Sequence, residues 1–175
     1  MCERNYTLSF VMLSCIVLAG WMQAFGTISY VGITDSSYDD GVTSLTVRKP
    51  SSTIEGDLLI ALIGHQAEAA RTISAPSGWT QFSGSPKTTC CSRSAMYYKI
   101  AGSSEGSTYS FTVSSPGVGQ NASVILAAYR GVDQSNPVEA AAGKDSSNSY
   151  THPAPTASVA NAGCWGIAAL TTEGC

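Results

Sequence analysis

The sequence predicts an all-β protein, and two observations support this prediction. From Thr27 onward, short apolar stretches rich in Val, Ile, Thr and Tyr recur along the chain, and none continues long enough to form a capped helix. Clusters of Gly, Pro, Ser, Asn and Asp separate these stretches, as turns separate strands. Many short strands in this pattern are typical of an antiparallel β-sandwich or barrel, and we expect a sandwich of the jelly-roll or Ig-like kind.

Three strands are predicted in the first part of the domain. Ile28–Ile33 and Val42–Val47 alternate apolar and polar residues, as strands with one buried face do. Asp57–Ile63, DLLIALI, is a continuous apolar run short enough to be a strand covered on both faces. The segment from His65 to Arg71 contains good helix formers without amphipathic pattern, and we read it as a loop that could include one helical turn. Further predicted strands are Trp79–Phe82, Ala95–Ile100, Tyr109–Val113, Ala122–Tyr129, Val138–Ala140 and Cys164–Leu170.

The stretch YYKIAGSSEGSTYSFTV contains two adjacent tyrosines and one carboxylate in a Gly/Ser-rich loop. Tyr97 and Tyr98 are neighbours on a predicted strand, so their rings face opposite sides and cannot form one aromatic platform. Alternate residues from Tyr109 to Val113 share one face of the next strand. We expect a hairpin loop between these strands, with Glu105 exposed at its tip as a solvated residue rather than a catalytic one.

The first 26 residues differ from the rest of the chain. An apolar run, Leu8–Gly20, follows a short polar start, and Ala24 and Gly26 occupy the small-residue positions of a cleavage site. This pattern predicts a signal peptide over residues 1–26 and a single β-sandwich domain over residues 27–175. A retained apolar anchor or assembly segment is the alternative, because the apolar run extended from Leu8 to Phe25 approaches the length that spans a bilayer.

Export would change the role of the cysteines. If two cysteines leave with the signal peptide, four remain in a compartment where disulfides persist. Three pairings of four cysteines are possible, and the sequence does not choose among them. A bond between adjacent cysteines would be strained, so at least one of the first two should pair with one of the last two. The candidates are Cys90, Cys91, Cys164 and Cys175.

Composition and charge restrict the partners and cofactors. Only 12% of residues are charged and the net charge is -3, so no basic surface is available to a phosphate backbone, and nucleic acid is not an expected partner. We expect no cofactor, with calcium as the alternative. The loop TDSSYDDG offers Asp35, Asp39 and Asp40 as oxygen ligands, although its spacing does not match an EF-hand loop and its carboxylates could instead cap local backbone groups.

Three aromatic residues are candidates for ligand binding. Trp79 follows a Pro-Ser-Gly corner and begins a predicted strand, and an outward tyrosine such as Tyr98 or Tyr38 could stack on a sugar ring. The alternative is that these rings belong to the core or to a corner of the sandwich.

Five successive motifs resemble a recurrent β-sandwich module of bacteriophage tail or virion-associated proteins and of exported bacterial surface proteins. After V-x-K-P, the motifs lie in Gly56–Leu59, Pro76–Trp79, Tyr98–Glu105 and Ala128–Pro137, and the resemblance runs from about Ile28 to Leu170. It implies the sandwich fold and says almost nothing about activity, since these modules are mostly uncharacterised and a shared fold does not supply a mechanism. Related modules continue through further strands, which leaves open that the domain is truncated at its C-terminus.

Together, these observations predict a non-enzymatic, extracellular or virion-displayed protein with a structural or adhesive role. Its loops or an exposed strand edge would engage a glycan or neighbouring subunits, and self-association within a larger assembly is expected. The alternative is a secreted glycan-active hydrolase, which needs two carboxylates facing each other across a cleft. The available carboxylates are Glu55, Asp57, Glu68 and Glu105.

Overall fold

The computed structural model describes residues 27–38, 41–66, 72–88, 92–114, 121–144 and 153–169. Within these ranges the chain forms strands and contains no helix. The strands are β1 (Ser29–Tyr38), β2 (Ser44–Arg48), β3 (Leu58–Gln66), β4 (Ile73–Ser74), β5 (Thr80–Gln81), β6 (Lys87–Thr88), β7 (Ser92–Ile100), β8 (Thr108–Val113) and β9 (Ala122–Arg130).

In the described part of the chain, the strands form two antiparallel sheets. The large sheet has six strands in the order β1-β9-β3-β7-β5, and β6 also pairs with β7. The small sheet has three strands in the order β2-β8-β4. Apolar residues from both sheets form one buried cluster, so the prediction of an antiparallel β-sandwich is confirmed at this level.

The core lies between the two sheets and follows the alternation of the strands. In β2 and β8 every second residue is buried, as expected for strands that have one face on the core. Side chains that are 0% exposed come from both sheets, so the centre of the core lies where the two sheets meet. These include Leu45, Val47, Leu59, Ile63, Phe111, Val113, Val124 and Leu126.

Strand β3 is buried on both faces, as its continuous apolar run predicted. Leu59, Ala61 and Ile63 point into the core between the sheets. Leu58 and Ile60 point to the outer face, the side of the large sheet that faces away from the small sheet, and belong to a second apolar cluster there. A sheet face turned away from its partner sheet is ordinarily solvated, so other parts of the chain must cover this one.

The predicted hairpin between β7 and β8 is wrong. Strand β7 pairs with β3 in the large sheet, whereas β8 pairs with β2 and β4 in the small sheet, so the turn over residues 101–107 crosses from one sheet to the other. The alternation of apolar and polar residues is the same whether two strands form a hairpin or belong to different sheets. It indicates which face of a strand is buried, but not which strand is its neighbour. The predicted opposition of the two tyrosines is confirmed, with Tyr97 in the core and Tyr98 on the outer face.

Two predicted strands do not form. Residues 138–140 and residues 164–169, the described part of the second prediction, run without a ladder, except for a single bridge residue at Trp165. Ile167 and Ala169 instead lie against the outer face of the large sheet. These residues are apolar because they pack on a sheet face. The sequence does not distinguish such a segment from one that pairs as a strand. We call residues 153–169 the strap.

Several sequence predictions fall outside the described residues. They include the signal peptide over residues 1–26 and most of the His65–Arg71 segment, of which β3 takes the first two residues. In the part of the chain that is described, no helix is long and apolar enough to cross a membrane.

Candidate functional site

Trp79 closes one side of the core. Its ring packs edge-on against Tyr109 at 5.2 Å and against Phe111 at 5.3 Å between centroids. Such edge-to-face contacts add to the stabilisation from burial. The side chain is only partly buried, and its position is that of a corner residue of the sandwich.

The two candidate tyrosines lie elsewhere, so the three aromatic candidates do not form one site. The hydroxyl of Tyr38 donates to the carbonyl of Thr46 at 2.5 Å and accepts from the amide of Thr46 at 2.8 Å. Tyr98 lies on the outer face and packs against Phe82, with 4.9 Å between ring centroids. Ligand binding by any of these rings stays a prediction.

The metal and disulfide candidates are mostly outside the described residues. Asp35 is exposed on β1, opposite Ile125, whereas Asp39 and Asp40 are not described. Among the residues that the structure describes, no three His, Cys, Asp or Glu side chains are grouped to hold a metal ion. Of the cysteine candidates, Cys164 is described and its thiol donates to Glu139 Oε2 at 2.9 Å, while Cys90, Cys91 and Cys175 are not.

An apolar surface that sequence reasoning missed lies at the β1 edge of the outer face. We call it the edge patch, and it consists of Tyr30, Ile33, Trp165 and Ile167, which are 49%, 41%, 37% and 36% exposed. Buried Tyr129 contacts the two aromatic members, with its ring centroid 6.0 Å from that of Tyr30 and 6.5 Å from that of Trp165. Ile167 lines the same small cavity as Tyr129, and Ile33 lies opposite Ala127 on the neighbouring strand.

A register shift in β1 creates half of this patch. Tyr30 lies opposite Tyr129 and Ile33 lies opposite Ala127, with the extra residue between Tyr30 and Gly32. Without that bulge, simple alternation would place Tyr30 and Ile33 on opposite faces of the strand. Sequence periodicity therefore contained no indication that these two side chains share a surface.

Glu105 has partners, contrary to the expectation of an exposed loop residue. Its carboxylate accepts from the Gly102 amide at 2.7 Å and from the Tyr109 hydroxyl at 2.6 Å, and it forms a 2.7 Å ion pair with Lys99. The side chain is 12% exposed. Burial opposes its ionisation, but the Gly102 amide, Lys99 and Tyr109 outweigh that effect and lower the pKa of Glu105. Glu105 is thus held as an anion that anchors the crossover turn.

A polar cavity of about 130 Å³ lies beside Glu105, between the crossover turn and the loop before β3. Lys49, Glu55, Ser103 and Glu105 line it, together with Thr53, whose side chain is buried. The cavity is smaller than the roughly 300 Å³ at which drug-sized ligand sites begin. It has room for several water molecules, by the roughly 30 Å³ that each occupies in the liquid.

Two residues from separate motifs meet at the same end of the sandwich. Asp57, which is 1% exposed, binds Arg130 through two parallel hydrogen bonds, Nε–H to Oδ1 at 2.8 Å and Nη2–H to Oδ2 at 2.9 Å. Burial opposes ionisation of Asp57, but Arg130 and the amide of Ile54 outweigh it, with the charge of Lys49 adding to them, so its pKa is lowered. The pair joins the GDLL and YRGVD motifs structurally and holds Asp57 as a buried anion.

Comparison of the chain with protein-family models, with curated proteins and with solved structures found no match. The resemblance to virion-associated and exported surface modules therefore stays a prediction.

Proposed function

We propose that this protein is a non-enzymatic structural or adhesive β-sandwich, displayed outside the cell or on a virion, that acts by surface complementarity. The observation that carries the proposal is the edge patch, four large apolar side chains left exposed at one edge of the outer face, two of which contact buried Tyr129. Exposed apolar side chains that cluster, rather than scatter singly, mark interaction sites.

The composition of the edge patch favours a neighbouring subunit over a glycan. Ile33 and Ile167 are branched aliphatic side chains, which suit the apolar centre of a protein interface. Tyr30 and Trp165 are of the residue types that contribute most binding energy at protein interfaces. A sugar-binding face would instead combine flat aromatic rings with hydrogen-bonding groups, whereas half of the edge patch is aliphatic.

The location and the finer fold type are parts of the same proposal. The apolar segment over residues 1–26 supports export, while the motif resemblance supports a virion or surface module of the jelly-roll or Ig-like kind. Because such a fold does not by itself imply a function, the proposed function depends on the edge patch.

A glycan-active hydrolase is the second candidate, because Glu55 and Glu105 line the same cavity. Glycoside hydrolysis needs one carboxylic acid with a raised pKa to protonate the leaving oxygen. The pKa of Glu105 is instead lowered, and three donors occupy its carboxylate. The edge patch is therefore the better-supported site.

The proposal predicts that the purified full chain self-associates and that Ile33→Asp weakens the association. A charge inside an apolar interface is left desolvated, and we expect the dissociation constant to rise by at least about tenfold, as for a moderate interface hot spot. Sedimentation velocity over a range of concentrations measures this constant directly.

Thr112→Asp is the matched control, since Thr112 is exposed on the outer side of the small sheet. It should leave the association unchanged. If the wild-type protein stays monomeric at all concentrations, the edge patch does not bind a second copy of the chain. Binding on a glycan array would then identify a sugar as the partner. Release of reducing sugar ends that Glu105→Gln abolishes would establish the hydrolase instead.

A further inference from the structure

The strap covers part of the outer face of the large sheet without joining that sheet. Ile167 and Ala169 lie with Ile60, Met96 and Ala127 around a small apolar cavity of about 20 Å³. The Trp165 ring meets Tyr129 edge-on. Along the described strap, a single residue, Trp165, has a bridge and none belongs to a ladder. The strap is therefore held by side-chain contacts, not by a row of backbone hydrogen bonds.

The face beneath the strap has the burial of a core. Leu58, Ile60, Ala127 and Tyr129 are each less than 9% exposed, although the small sheet packs on the opposite face. Exposing apolar side chains that are buried to this extent is unfavourable, so this face requires a cover in water.

One carboxylate fastens the strap. Glu139 Oε1 accepts from the amides of Ala160 at 2.6 Å and Asn161 at 3.0 Å, while Oε2 accepts from the thiol of Cys164 at 2.9 Å. The turn that presents these three donors is completed by Gly163, whose φ of 86° is costly for other residues. Hydrogen bonds to an ionised acceptor are about twice as strong as neutral ones, which makes Glu139 the main polar attachment of the strap within the described residues.

From this arrangement we propose that the strap is a detachable cover latched by Glu139. It opens as a unit while the two sheets stay folded, and opening uncovers the apolar outer face around Ile60 and Tyr129. Segments with few backbone hydrogen bonds to the rest of the fold open at lower free energy than core strands. The device goes beyond the proposed function and does not depend on any partner.

Hydrogen–deuterium exchange of the purified full chain, followed by mass spectrometry, tests the proposal. In the wild type, strap amides should exchange at least about 100-fold faster than those of β3, since local opening precedes global unfolding. Glu139→Gln should speed exchange at Ala160 and Asn161 by about a further tenfold, the loss expected when an ionised acceptor becomes neutral. Exchange in β3 should stay unchanged.

Glu55→Gln is the matched control, because Glu55 is exposed beside the polar cavity and away from the strap. If the strap amides exchange at the rate of the β3 amides, the strap and the sheets unfold as one cooperative unit and the proposal is wrong. Equal exchange of Ala160 and Asn161 in the wild type and in Glu139→Gln would also overturn it. If Glu139→Gln does not fold, Trp165→Ala provides the test, because it removes the contact between the strap and Tyr129. It should also speed exchange of the strap amides and leave exchange in β3 unchanged.

Discussion

Asp57 and Arg130 are 73 residues apart and form an ion pair whose carboxylate is 1% exposed. The carboxylate is buried, while the guanidinium side chain is 43% exposed and also donates to the carbonyl of Ser52 at 2.9 Å. Arg130 therefore ties the end of β9 to the loop before β3. Glu105 has a comparable local role for the crossover turn, so both carboxylates serve the fold.

Replacing Asp57 with alanine should lower the free energy of unfolding by about 3 kcal/mol, the lower end of the range for breaking a buried ion pair. The lower end applies because Arg130 is partly exposed and water can solvate it once its partner is lost. Urea unfolding followed by fluorescence measures the change. Asp133→Ala, at an exposed loop position, is the control, and an equal effect of the two substitutions would contradict a structural role for the ion pair.

Strand β3 is the element on which both apolar clusters depend. It lies between β9 and β7 in the large sheet and contributes alternate residues to the core and to the outer face. An antiparallel strand with one solvated face would show polar residues at every second position. The run DLLIALI shows none after Asp57, and the cover over the outer face explains why.

Ile60→Ala should destabilise the protein by about 2–3 kcal/mol, as truncation of a buried isoleucine does, although Ile60 points away from the main core. Ile33 lies on the same face of the large sheet but is exposed, so Ile33→Ala should lower the free energy of unfolding by less than about 0.5 kcal/mol. Both values come from denaturant unfolding of the two variants. A cost at Ile60 as small as that at Ile33 would mean that the outer face is solvated in solution.

The two sheets of the molecule are joined along one side by polar side chains of β1. The hydroxyls of Tyr38 and Thr34 bond to backbone groups of Thr46 and Arg48 on β2, the edge strand of the small sheet. Edge strands with unpaired backbone groups are liable to pair with other chains, and these contacts occupy part of that edge. Tyr38, a ligand candidate by its sequence position, thus has a structural role in joining the two sheets.

Tyr38→Phe should lower the free energy of unfolding by about 1–2 kcal/mol, the value of two ordinary hydrogen bonds, and should increase aggregation through the uncovered β2 edge. Calorimetry and light scattering measure the two effects. Tyr30→Phe, at a ring that is 49% exposed, is the control and should change neither. A ligand-binding role alone for Tyr38 predicts unchanged stability in both variants.

The sequence by itself determined the elements that depend on local periodicity. The spacing of apolar residues predicted seven of the observed strands, the double burial of β3 and the opposite faces of Tyr97 and Tyr98. These properties follow from the two-residue repeat of extended backbone, which is the same wherever a strand is placed. The two-residue strands β4 and β6 were missed because two residues cannot show a period, and the equally short β5 was predicted only within the longer stretch Trp79–Phe82.

Only the tertiary structure decided which distant groups meet. It separated β7 from β8, shifted the register of β1 to bring Tyr30 and Ile33 onto one face, and gave Glu105 its partners. It also set Glu139 against the turn of the strap and Asp57 against Arg130. Contacts of this kind depend on how sheets pack and on single bulges, and no local pattern of residues encodes them.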